Sequence, residues 1–274
     1  MCVNSLALRV LLCSWVWAGC QGDSAQKPKL RQGPVASLSG RLRLAEGAQL
    51  PAYTALDFVR RTLHQHDLPA PPAECAAAIE DARTPVRLSP DRSLSGVVIA
   101  ASDFTRVRER APKIHKVAIE HCRLKPAIVA AMGGDQILLE NRDRFAFEPL
   151  IGPTYVGSPL ERGDERRVPL APGGVDSILC SLGAPCGRTD LVVFYHPVHA
   201  VTDTEGRFRI DNFPASELVR VVAWHPLFEE KESFVWLEPG EKSSIELDLT
   251  PKPRFVPSVP ATQIGHVTTA NGSP

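Results

Sequence analysis

Hydrophobic and polar positions alternate with a period of two in two runs near the ends of the β region. Ser37 to Leu44 sets Leu38, Gly40, Leu42 and Leu44 against polar neighbours, and Ile245, Leu247 and Leu249 alternate with Glu246 and Asp248. This is the period of a strand with one face buried. Between these runs short strands are predicted at Leu94–Ala100, Lys116–His121, Pro126–Met132, Gln136–Glu140, Arg167–Leu170, Ser177–Cys180, Leu191–Tyr195, His199–Val201, Phe208–Ile210, Leu218–Trp224 and Ser233–Leu237. Pro, Gly or charged clusters separate them, a cadence that belongs to sandwiches and not to alternating βαβ units. Gly133-Gly134-Asp135 reads as the turn of a central hairpin, and Thr202 to Gly206 as that of a second. Helix is predicted only near Thr54-Ala55-Leu56-Asp57, a capping box whose Leu56, Val59 and Leu63 share one face as far as about Gln65. Cys75 to Asp81 reads as one more turn of helix or a loop.

Composition supports an all-β chain. Twenty-five prolines and 19 glycines exceed what helices tolerate. Thirty-one basic residues balance 31 acidic ones, so no overall field draws the chain to nucleic acid. Arg106 to Arg110 and Glu161 to Arg167 mix signs and read as solvated loops.

Met1 to Ala18 has one positive charge and an apolar run too short to span a bilayer. The run ends in Trp17-Ala18-Gly19-Cys20, which resembles the lipobox of bacterial lipoproteins. That resemblance implies a signal peptide over residues 1–19 and acylation of Cys20. The mature protein would then be held to the cell envelope by its lipid, with Gln21 favouring the outer membrane, facing the periplasm. Residues 20–36 read as a tether and 251–274 as a disordered, Pro-rich tail. With Cys2, Cys13 and Cys20 set aside, four cysteines remain in an oxidising compartment: Cys75, Cys122, Cys180 and Cys186. Three pairings are open; the favoured one joins Cys75 to Cys122 and Cys180 to Cys186.

Two segments resemble known families. HPVHAVTDTEGRFRIDNFP followed by LVRVVAWHP is similar to the carboxypeptidase-regulatory-like β-sandwich, which implies such a unit over 190–250. Upstream, Cys75, the Leu94 strand, Ile119 to Cys122, Pro126, the Gly134 turn and Asn141-Arg142-Asp143 resemble plastocyanin-like cupredoxins of the methylamine-utilisation type, implying a cupredoxin-like unit over 37–189. Such a site seats copper between two imidazoles and a thiolate. Here Arg144, Phe145, Ala146 and Phe147 stand where the first histidine would follow, with Phe147 the replacement. Cys180 holds the place of the thiolate, but Ser181 to Cys186 supply neither His nor Met. The resemblance thus implies a sandwich that kept its shape without its metal.

The remaining chemistry is thin. His196 and His199 form H-x-x-H with His225 a strand later, but residues three apart on a strand face opposite ways, and convergence would need Pro197 to turn the chain. His64 and His66 read as solvated. No nucleophile elbow, phosphate loop or C-x-x-C motif occurs. Trp224 and Trp236 read as core residues, with a sugar-stacking platform as the rival. The leading expectation is a non-catalytic envelope lipoprotein without a cofactor, its protein or glycan partner unspecified. The alternatives are an electron carrier with copper rebuilt on Cys180 with His196 or His199, and a carbohydrate-binding module.

Overall fold

The computed structural model describes residues 31–50, 72–75, 86–181 and 186–253. Apart from one turn of helix at residues 73–75, its regular structure is β. The strands are β1 (Val35–Leu44), β2 (Arg87–Leu88), β3 (Leu94–Ser95), β4 (Val98–Ser102), β5 (Ile114–Glu120), β6 (Arg123–Lys125), β7 (Ile128–Met132), β8 (Gln136–Asn141) and β9 (Pro149–Ile151). They continue as β10 (Thr154–Tyr155), β11 (Glu165–Pro169), β12 (Gly174–Cys180), β13 (Arg188–Phe194), β14 (His199–Val201), β15 (Arg207–Pro214), β16 (Leu218–Trp224), β17 (Lys231–Trp236) and β18 (Lys242–Leu249). The helix predicted after Thr54, the residues around Cys20 and nearly all of the C-terminal tail lie outside the described residues.

Four of the sheets build two sandwiches. In one, β11-β8-β5-β6 faces β10-β9-β12-β13-β7; in the other, β15-β1-β18 faces β14-β4-β16-β17. Each closes on its own apolar core, the first around Ile119, Leu139, Phe147 and Ile178, the second around Leu38, Ile99, Phe213 and Val221. The strict alternation of β1 places every second residue inside. At its centre, Gly40 lets the strand pass under Phe208, whose ring would lie 2.6 Å from an added Cβ.

Strand pairing redraws the boundaries expected at 37–189 and 190–250. β1 runs parallel to β18 and antiparallel to β15, and β4 lies between β14 and β16. Both early strands therefore belong to the second sandwich, because their complementary apolar faces lie at its far end of the sequence. Strands β5 to β13 form the first sandwich as an insertion between β4 and β14. The chain closes behind the insertion where Ala101 N–H donates to the Val198 carbonyl at 3.0 Å.

The two expected hairpins are likewise connections between sheets. β7 pairs in parallel with β13, whereas β8 pairs with β5 and β11, so Gly133-Gly134-Asp135 carries the chain from one layer to the other. Thr202 to Gly206 does the same between β14 and β15. β7 and β13 have unbroken apolar runs because both of their faces are covered. Ala131 and Val193 point into the first core, while Ile128, Ala130 and Val192 pack with Val98 of the second sandwich, flanked by Phe194, Val201 and Trp224.

Candidate functional site

The end of the first sandwich where the resemblance would seat a metal is built around Asn141. This side chain is fully buried at the end of β8, and its amide donates to the carbonyls of Phe145 and Leu160 at 2.7 and 2.8 Å. Its own oxygen accepts from Asp143 N–H at 2.9 Å. The carboxylate of Asp143 then accepts the backbone N–H groups of His121 and Cys122 at 2.9 and 2.6 Å. Those two residues form the β5–β6 turn, with φ of 52° and 55°. A left-handed conformation is unfavourable for any residue with a Cβ. Asp143 and the Cys75–Cys122 disulfide together hold the pair there.

Above this turn lies an open cavity of about 350 Å³ lined by Glu74, His121, Cys122, Arg142, Asp143, Arg144, Phe145 and Arg162. Most of its charge is already matched. Arg142 bridges Glu120 and Glu140, and Arg144 pairs with Glu74 while lying 5.0 Å from the Phe145 ring centre. Hydrogen bonds from Arg142 hold the carboxyls of both Glu120 and Glu140 below their ordinary range.

The residues that the resemblance would place at a copper site do not fit copper. Phe147 has no exposed surface and packs with Leu160, Ile178 and both disulfides in the first core. Cys180 is bonded to Cys186, with Cα atoms 5.3 Å apart, so its sulfur is not a free thiolate. The pairing of the four cysteines is the one favoured from the sequence. Among the described residues, no group of three or more His, Cys, Asp or Glu side chains could hold a metal.

His196 and His199 are brought together, contrary to the expectation of opposite faces, because Pro197 lies in a bend that ends the extended geometry of β13. Both rings gather on Phe194, with centroids 5.6 and 4.8 Å away, and Phe104 closes on His196 at 4.9 Å. His196 Nδ1 accepts from Val198 N–H, and His199 Nδ1 lies 3.1 Å from the His196 carbonyl. Burial pushes both imidazoles down to about 4. This is an aromatic cluster beside the interface, distinct from Cys180. His225 lies in the second core, where its Nδ1 accepts from Leu227 N–H. His64 and His66 lie outside the described residues.

Two features were hidden in the sequence. Arg110, read as part of a solvated loop, donates twice to Asp135 at 2.7 and 2.6 Å. The same fully buried carboxylate accepts from Lys113 N–H and Met132 N–H and lies 2.9 Å from His115 Nε2. Burial works against the charged form of Asp135, but these donors, Arg110 first, outweigh it and hold the carboxyl well below the usual range. Trp236, expected in the core, is 54% exposed; Trp224 is half-buried at the interface.

No protein-family model matches the chain, and no curated protein matches it. Solved structures with local likeness include a mutant amicyanin in its Cu(I) form, with 16% identity over 29% of this chain and 80% of that one and a TM-score of 0.26. A purple cupredoxin from Nitrosopumilus maritimus is likewise 16% identical over 29% of this chain and 98% of that one, with a TM-score of 0.26. A copper-containing nitrite reductase from Thermus scotoductus is 18% identical over 36% of this chain and 26% of that one, with a TM-score of 0.27.

Proposed function

We propose that the chain is a non-catalytic, lipid-anchored protein of the cell envelope, whose two sandwiches serve binding or structural support and whose copper position has been given over to packing. The observation that carries this reading is the pair of changes at that position: a wholly buried Phe147 and a Cys180 sulfur committed to Cys186. An aromatic ring has no lone pair to offer a metal, and a cystine sulfur lacks the charge of the thiolate that a blue-copper centre uses. The electron-carrier reading needs Cys180 free and loses its principal ligand in the disulfide. Attachment through Cys20 is supported by Trp17-Ala18-Gly19-Cys20, and the two disulfides suit an oxidising compartment.

Copper titration of the purified full-length protein tests the central claim. The thiolate-to-copper charge-transfer region should stay silent, and a stoichiometric blue or yellow species would overturn the proposal. Attachment is tested separately by metabolic labelling with a fatty acid. Label should follow the protein and be lost with Cys20→Ser; an unlabelled native protein would remove the lipid from the proposal.

A further inference from the structure

The outer face of the β14-β4-β16-β17 sheet is divided between two environments. Toward one end Val98, Val201 and Trp224 are covered by Ile128, Ala130 and Val192 of the inserted sandwich. Toward the other the same face is uncovered. Leu218 and Trp236 pair across β16 and β17, Phe234 stands two residues along, and the three are 56%, 54% and 61% exposed. Aromatic side chains carry about 150–250 Å² each, so the pair alone offers a large share of the apolar patch that an ordinary monomer leaves open. The patch continues a surface already used for packing one sandwich on another. Among the described residues it also lies on a free edge, because β17 has a hydrogen-bonded neighbour there only in β16.

Charge narrows the choice of partner. Glu229, Glu230, Glu232, Glu238 and Glu241 are exposed along and beside β17, against Lys231 and Lys242. Arg220, directly across from Phe234, is already paired with Glu232 and Asp103. The Trp236 indole N–H donates to Glu238 at 3.2 Å, which leaves the ring to act as a hydrophobe. An acidic rim disfavours acidic polymers, and an open strand edge offers backbone hydrogen bonds that a glycan cannot use in register.

We propose that β17 is a docking edge for an extended polypeptide segment, which adds to the sheet as a fifth strand. Side chains that share a face recur every second residue. On the outer face β17 shows Glu232, Phe234, Trp236 and Glu238 in that order. The complementary segment carries two apolar residues at alternate positions, with a basic residue two places beyond each, and polar residues between. Main-chain pairing gives such an addition its affinity, and the side-chain register its selectivity. This inference takes the binding role proposed above and names the partner's chemistry, while the copper titration stands or falls apart from it.

The test uses the full chain and a fluorescent peptide, Lys-Thr-Val-Thr-Val-Thr-Lys, blocked at both ends and followed by anisotropy. Saturable binding is expected, weakening by at least tenfold for the Phe234→Ser/Trp236→Ser variant. Both side chains are exposed, so the variant should keep the parent's circular dichroism and melting curve. Replacing both peptide lysines by glutamate, or the central threonine by proline, should abolish binding. Absence of binding at millimolar peptide, equal binding to the folded variant, or indifference to the proline would overturn the proposal. So would an oligosaccharide that binds the parent and not the variant while the peptide binds neither; that result would assign the face to a glycan.

Discussion

Replacing Asp135 should destabilise the inserted sandwich more than almost any other polar substitution. Its carboxylate has no solvent exposure and receives two hydrogen bonds from Arg110, one each from the N–H groups of Lys113 and Met132, and a contact from His115. Removing one partner of a buried pair costs about 3–5 kcal/mol, because the charge left behind is uncompensated. Arg110 is 15% exposed and can recover part of its hydration, whereas the Met132 N–H at the layer crossing loses its side-chain acceptor. For Asp135→Ala these effects set the loss at about 3–4 kcal/mol, a large part of an ordinary domain's stability. Asp135→Asn keeps the shape and one acceptor oxygen, and should lose about 2 kcal/mol. Guanidinium unfolding followed by circular dichroism measures both, with the m-value of the inserted unit unchanged. The carboxyl lies below its ordinary value in the folded state, so its stabilisation is present above the unfolded value and lost as pH falls below about 4. Both variants should therefore show a shallower acid limb than the parent. A loss under about 1 kcal/mol for Asp135→Ala, with the acid limb unchanged, would refute the claim that this carboxylate secures the crossing.

The imidazoles of His196 and His199 stay neutral to about pH 4 when folded, whereas the unfolded chain protonates them near 6.5, so stability should fall as pH drops through that window. From pH 7 to 5 the loss is about 2 kcal/mol for each; His199→Phe should flatten the slope, and an unchanged slope would show that the ring is not desolvated. Removing Cys75–Cys122, which spans 47 residues, should cost about 4 kcal/mol, against about 2 for Cys180–Cys186, which spans 6, as paired serine variants would show in urea. Phe147→Ala leaves a cavity in the first core and should cost about 3–5 kcal/mol. A loss well under that would mean the position is not packed as described.

The sequence revealed the strands with one wet face. β1 and β18 show their burial as strict alternation, because each position has one environment and hydropathy reports it directly. β7 and β13 read correctly as strands but with the wrong neighbours. A run buried on both faces has no period to say which sheet it joins, and two glycines with an aspartate suit a layer crossing as well as a hairpin. Nothing near β1 announces β18 as its partner, since complementarity across two hundred residues leaves no local trace. Where the resemblance would seat copper, the residue types read as Phe147 and as a Cys180 followed by neither His nor Met, and the structure buries that ring and joins that sulfur to Cys186. Asp135 looked like a turn residue because its partner Arg110 lies 25 positions away in a run of alternating charge. Trp236 misled for the opposite reason: a large apolar residue on a strand usually faces inward, and here the inward positions belong to Val235 and Leu237.

The insertion between β4 and β14 has a consequence for the order of events during synthesis. When Ala100 leaves the ribosome its β14 partner, His199, has yet to be made, and β16 follows later still. Closing so long a stretch of loose chain carries an entropic cost that grows with its length. Once β5 to β13 have folded, that stretch becomes a rigid spacer whose two ends emerge side by side, at Ala101 and Val198. The guest domain then acts as a template that delivers the later strands to the waiting one, so a lesion in the guest should appear first as failed closure of its host.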